Sequence, residues 1–173
     1  MNLQLQSLLL PLAVAGVGAA VLALLHLLKV QPPRRVVATT MFWIHSSRDE
    51  RRRVLFLARE FPTARVRGVD RSAETIRKAV ARVGLDPEGR VAFKHGGPRS
   101  LPYPDGFFDL VVQSSGRLHA AEIARVLRPG GHLPLIGSPR LPRRRLNRHG
   151  IAPRETGEAG GKHFHLARRA GGD

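Results

Sequence analysis

An uninterrupted apolar run opens the chain, and shorter periodic segments follow it. From Leu8 to Leu28, "LLLPLAVAGVGAAVLALLHLL" carries no charged side chain. As a helix rising ~1.5 Å per residue it spans ~31 Å, close to the ~30 Å hydrocarbon core of a bilayer. Further on, "RRRVLFLAREF" predicts a helix carrying Leu55, Leu57 and Phe61, which Pro62 ends. A short strand, Val66 to Val69, then finishes on Asp70. "SAETIRKAVARVG" predicts a helix capped by Ser72, with Ile76, Val80 and Val83 on one face and Gly84 at its end. "RVAFKHG" reads as a strand, "SLPYPDGFF" as a proline-rich loop, and "FDLVVQSS" as a strand apolar enough to be buried on both faces. "LHAAEIARVL" is a helix that "RPGG" stops, and "HLPLIGS" is a further strand. A short basic helix and two edge strands account for the remainder.

Strands alternating with helices across short loops predict an α/β fold with a doubly wound, mostly parallel sheet, preceded by one transmembrane helix. The organisation expected is a membrane anchor over residues 1–30, a basic juxtamembrane strand or linker over 31–53, and a domain over 54–169. Val36 to Trp43 can supply a central strand, with Ser46 or Ser47 capping a helix that contains Asp49.

Charge sharpens the membrane reading. The formal charge of +16 arises after residue 28, since no charged side chain precedes Lys29. Lys29, Arg34 and Arg35 follow the apolar run, so the positive-inside rule places the N-terminus outside and the rest in the cytoplasm. Such an excess favours anionic neighbours. Arg140, Arg143, Arg144, Arg145 and Arg148 form the densest cluster and are expected to meet anionic lipid. Nucleic acid is not the expected partner, because no aromatic side chains interleave with those arginines. The chain has no cysteine, which excludes disulfides, thiolate catalysis and cysteine-ligated metals. His163 and His165 share a strand face, but no third ligand lies near them in sequence, so no metal is expected.

Two resemblances add to this reading. "HLLKVQPPRRVVATTMFW" is similar to the N-terminal module of aerotolerance-regulator membrane proteins, which implies anchoring and no chemistry. "VRGVDRSAETIRKA", "LPYPDGFFDLVV" and "EIARVLRPGGHLPLIG" resemble class I S-adenosylmethionine-dependent methyltransferases, and "RRRLNRHGI" with "KHFHLARR" matches their closing strand pair. This resemblance covers residues 54–169 and implies S-adenosylmethionine as cofactor. It assigns cofactor binding to Asp70, Arg71, Gly97 and Ser114, with Asp70 accepting hydrogen bonds from the two ribose hydroxyls. A carboxylate suits two vicinal donors because it offers two acceptor oxygens. Asp109 is expected to be structural. His119 is a candidate base, and no catalytic residue is otherwise marked.

The sequence departs from that family in three places. The glycine-rich cofactor loop is missing, and "VVATTMFWIHSSRDE" stands where it belongs. "GVGAAV", Gly16 to Val21, imitates the loop but lies inside the apolar run and far upstream of Asp70. The family's Gly-Asp-Ala triplet, whose acid reaches the adenine amino group, is here Gly96-Gly97-Pro98. The segment between "FDLVV" and "EIARVL" is also short. The expected activity is methyl transfer to a small or lipid-associated acceptor. The alternative is a non-catalytic, membrane-associated interaction protein that keeps the sheet without the cofactor.

Overall fold

The computed structural model describes residues 33–38, 54, 57–58, 61–83, 86, 88–113, 117–137, 140–159 and 162–171. The apolar run, the aerotolerance-like stretch apart from residues 33–38, and the segment over 39–53 lie outside the described residues. No helix among the described residues is long and apolar enough to cross a membrane.

Seven strands form one sheet. In chain order they are β1 (Arg35–Ala38), β2 (Arg65–Asp70), β3 (Val91–His95), β4 (Phe108–Val112), β5 (Leu127–Ile136), β6 (Ile151–Ala159) and β7 (Lys162–Arg169). Their spatial order is β3-β2-β1-β4-β5-β7-β6. The first five run parallel, and β7 enters antiparallel between β5 and β6. The helices with described bounds are α1 (Ala73–Val83), α2 (Ala120–Val126) and α3 (Arg143–Arg148).

β1 carries the architecture although only four residues long. Val36 pairs with Val66 on one side and Leu110 on the other. Successive side chains on a strand point to opposite faces, so Val36 and Val37 enter different cores, and both are fully buried. Val36 packs with Val54, Leu57, Ala58, Phe61 and Ala79, while Val37 packs with Leu101, Tyr103, Phe108, Ile123 and Leu146. Helices therefore cover both faces of the sheet. Val54, Leu57 and Ala58 are helical, and the Phe61 amide bonds to the Leu57 carbonyl at 2.9 Å before the turn at Pro62. A central strand within 36–43 is thus present, its described part being Arg35–Ala38.

The Ser72 cap forms as expected, with Thr75 N donating to Ser72 Oγ at 3.2 Å. The face of α1 differs. Ala79 is its buried residue, and Val80 is 55% exposed. Ile76, Ala79 and Val83 make the inward stripe, in successive steps of three and four residues, and Val80 lies outside it.

"RPGG" ends α2 but does not precede β5. The strand begins at Leu127, and the turn is a bulge within it: Phe108 pairs with Leu127, and Leu110 with His132. Gly130 has φ of 74°, and a Cβ on Gly131 would stand 2.8 Å from the Arg128 carbonyl oxygen. Such a tight detour requires both glycines. β7 is not an edge strand as expected, since it lies between β5 and β6. β6 forms that edge, with a register shift between Pro153 and Glu155.

One guanidinium fixes the proline-rich loop over the second core. Arg125 donates to the carbonyl oxygens of Leu101 (3.0 Å) and Tyr103 (2.8 Å), to Asp105 Oδ1 (2.7 Å) and to Glu122 Oε1 (2.6 Å). Glu122 also accepts the Leu101 amide at 2.6 Å. Arg125→Ala should cost ~2 kcal/mol, because it strands two loop carbonyls and the half-buried Glu122, and should lower Tm by ~4–8 °C. Arg125→Lys should not restore it, since an ammonium lacks the planar fork. By contrast, Tyr103 buries a hydroxyl with no hydrogen-bond partner among the described residues. Burial pushes its pKa up to about 12. Tyr103→Phe should hold or raise Tm in thermal melts, as it removes an unsatisfied group and keeps the ring stacked on Phe107 and edge-to-face with Phe108.

Candidate functional site

The topology selects a location before any side chain does. From β1 the chain steps outward to β2 and β3, then returns to β4 on the other side of β1. In an open parallel sheet ligands settle outside the strand carboxyl ends where the order reverses. Here that point is the rim formed by β1, β2 and β4. Ala38 pairs with Gly68 and with Val112, so β2 projects Asp70 two residues past the central strand.

Asp70 is only 4% exposed. Its Oδ1 accepts the Ser72 amide at 2.7 Å, its carbonyl accepts the Gly96 amide at 2.9 Å, and it pairs in register with His95. Burial raises the carboxyl's pKa, against the opposing pull of the Ser72 amide, His95 and the Arg71 amide. The turn from β2 into α1 thus presents an oriented carboxylate at the reversal point. A carboxylate can take up to four hydrogen bonds, so the Ser72 and Arg71 amides leave capacity for the paired hydroxyls of a ribose. In this respect the residues fit a nucleoside cofactor.

Arg71 and Gly97 meet beside it. A Cβ on Gly97 would stand 2.8 Å from Arg71 Nε and 3.1 Å from its Nη2. His95 Nε2 donates to the Arg71 carbonyl at 2.9 Å, which ties the β3 end to the same turn. The structure therefore brings together three of the four residues assigned to cofactor binding: Asp70, Arg71 and Gly97. Where the family carries an adenine-reaching acid, a guanidinium lies against glycine. Ser114, the fourth, lies outside the described residues.

Gln113 is a rim residue that sequence reasoning did not single out. It is buried at the β4 end, where its amide donates to Pro134 at 3.0 Å and its carbonyl accepts from Ile136 at 2.9 Å. A polar residue closing an otherwise apolar strand was the available signal. His119 is half-buried at the N-terminus of α2. Burial lowers its pKa, and Arg99, Arg117, Arg71 and Arg145 press it further down. The other motif residues are structural. Asp109 accepts the Arg35 amide at 2.7 Å and pairs with Arg128 at 2.5 Å. His165 is buried and shares a 3.0 Å hydrogen bond with Thr156, whereas His163 is exposed. No group of three metal ligands occurs among the described residues.

The raised Asp70 pKa has a signed consequence for stability. The penalty for its charge is absent below the unfolded-state value and fully present above the folded one. Asp70→Asn, which keeps an acceptor for Ser72, should melt at or slightly above wild type at neutral pH. That difference should vanish as pH falls through the carboxylate range, which parallel thermal melts would show.

Comparison with known proteins agrees with this geometry. A methyltransferase domain family model matches residues 52–131. A Galdieria sulphuraria protein assigned as a sarcosine dimethylglycine methyltransferase is similar in structure, with TM-score 0.66, 14% identity, and coverage of 92% of this chain and 85% of that one. A SAM-dependent methyltransferase from Aquifex aeolicus is similar at TM-score 0.65 and 17% identity, covering 88% and 89%. The cyclase SpnF is also similar, at TM-score 0.63 and 18% identity, covering 89% and 82%. A shared fold therefore does not by itself fix the reaction. No curated protein sequence matches the chain. The family-model match and the SAM-dependent neighbour support S-adenosylmethionine as the cofactor. Sheet order, domain model and neighbours together give the described chain a class I methyltransferase-like α/β fold.

Proposed function

We propose that the protein is a membrane-anchored, S-adenosylmethionine-dependent methyltransferase that acts on a small or lipid-associated acceptor on the cytoplasmic side. The observation carrying this reading is the buried, amide-oriented carboxylate of Asp70 at the point where the strand order reverses. Asp70 would hold the ribose, with Arg71, Gly97 and Ser114 flanking the nucleoside. The bound cofactor supplies a methyl group on a sulfonium, itself a good leaving group. The chain then has mainly to align an acceptor, because proximity and orientation supply most of such a rate gain. His119, its pKa lowered by burial and its arginine neighbours, would take the proton that an oxygen or nitrogen acceptor releases. The apolar run from Leu8 to Leu28 would anchor the chain, and the arginines after it would face anionic lipid.

One observation favours a second reading, a non-catalytic interaction protein that retains the sheet. Arg71 lies against Gly97 where the adenine-reaching acid would stand, and the segment over 39–53 contains no glycine. Titration of S-adenosylmethionine into the full-length chain in a neutral detergent separates the two. Saturable binding that Asp70→Ala weakens about tenfold or more, ~1.4 kcal/mol, supports the enzyme. Absence of heat from a folded sample leaves the interaction protein.

A further inference from the structure

The positive charge is unevenly placed in the fold. Three connections follow carboxyl ends of parallel strands: residues 96–107 after β3, 114–119 after β4, and 137–142, which leads from β5 into α3. Together with α3 itself they hold seven arginines, Arg99, Arg117, Arg140, Arg143, Arg144, Arg145 and Arg148, against one acidic residue, Asp105, which Arg125 takes. The connection after β1 adds four more arginines against Asp49 and Glu50. Three arginines elsewhere find carboxylates: Arg125 meets Glu122 and Asp105, Arg128 meets Asp109, and Arg90 meets Glu88. Arg99, Arg117, Arg143, Arg144 and Arg148 have no ion pair among the described residues.

Arg99, Arg117 and Arg145 all lie near enough to His119 for their charges to act on it. Arg99 sits in the turn closed by the Ser100 amide on the Gly97 carbonyl at 3.0 Å, next to the Arg71 guanidinium. Arg145 reaches from α3 to the Leu118 carbonyl at 3.3 Å, which sets the first turn of α3 beside Arg117 and His119. An open groove of about 610 Å³ continues from there, lined by Leu141, Pro142 and the arginines of α3. Like charges crowded at one rim repel each other, and a bound anion relieves that repulsion. Guanidinium groups suit phosphate in particular, since their fork matches two of its oxygens.

We propose that Arg99, Arg117 and Arg145 form a receptor for a phosphoryl group carried by the methyl acceptor. The inference rests on the methyltransferase reading for the word acceptor, and on the arginine geometry alone for the phosphoryl group. The source is either a soluble phosphate ester or a phospholipid headgroup, which share this chemistry.

Pyrophosphate is the probe for the first source, titrated into the full-length chain in neutral detergent at fixed ionic strength. Vesicles of phosphatidic acid in phosphatidylcholine, against phosphatidylcholine alone, probe the second. The variant R99Q/R117Q/R145Q is compared with R77Q/R82Q/R154Q, which removes the same charge from exposed positions on α1 and β6. The first variant should weaken one of the two probes about tenfold or more, and the second less than about twofold. Loss for pyrophosphate assigns a soluble ester, and loss only for vesicles assigns a headgroup. Equal weakening by both variants, or no saturable binding of either probe to wild type, overturns the proposal. If the triple variant does not melt cooperatively, R99Q and R117Q are tested singly, since neither side chain makes a structural hydrogen bond among the described residues. S-adenosylhomocysteine is titrated into the same samples. Anion binding without it would leave the receptor standing and sink the methyltransferase reading; the converse would sink only the receptor.

Discussion

Everything in this fold depends on a four-residue strand paired on both sides. β1 is hydrogen-bonded to β2 and β4, which lie far apart in sequence, and its two valines reach into both cores. Without it β2 and β3 would be cut off from the other four strands, and each core would be open to water. Its presence also creates the reversal of strand order at whose rim Asp70 lies. Stability and site thus share a cause, the burial of Val36 and Val37 on opposite faces of one short segment.

Much of this was legible in the residues because local signals agreed with the global sheet. The apolar run "FDLVV" announced a strand buried on both faces, and Phe108, Leu110, Val111 and Val112 are buried. Ser72 announced a helix start and caps it. Where the reading failed, tertiary packing outranked local pattern. Val80 fits an apolar stripe as well as Ala79 does, yet the close approach of α1 to the sheet admits the smaller side chain. "RPGG" looks like a stop followed by a loop, but the sheet continues through it as a bulge because β4 still pairs on either side. The insertion of β7 between β5 and β6 depends on long-range pairing that no local periodicity encodes.

The candidate site was legible in part for a similar reason. An acid at the end of a strand is a local feature, and Asp70 lies where the motif put it. The approach of Arg71 to Gly97 joins two strand ends, and the arginines around His119 come from separate connections. Neither arrangement can be read from spacing. Only the count of charges in each connection hinted at it, and that count gains meaning once all the connections are known to open at one rim.

The outer end of the sheet has a consequence of another kind. β6 offers a nine-residue margin, long enough to recruit a strand from a neighbouring molecule. Pro153 has no amide hydrogen to offer there, the register slips beside it, and Glu155 and Glu158 place charge along the same strand. A second chain approaching that margin would find a donor missing, a broken rhythm and two carboxylates. The feature that looks like an irregularity of pairing thus works against fibrous self-assembly at a margin that no further strand covers among the described residues.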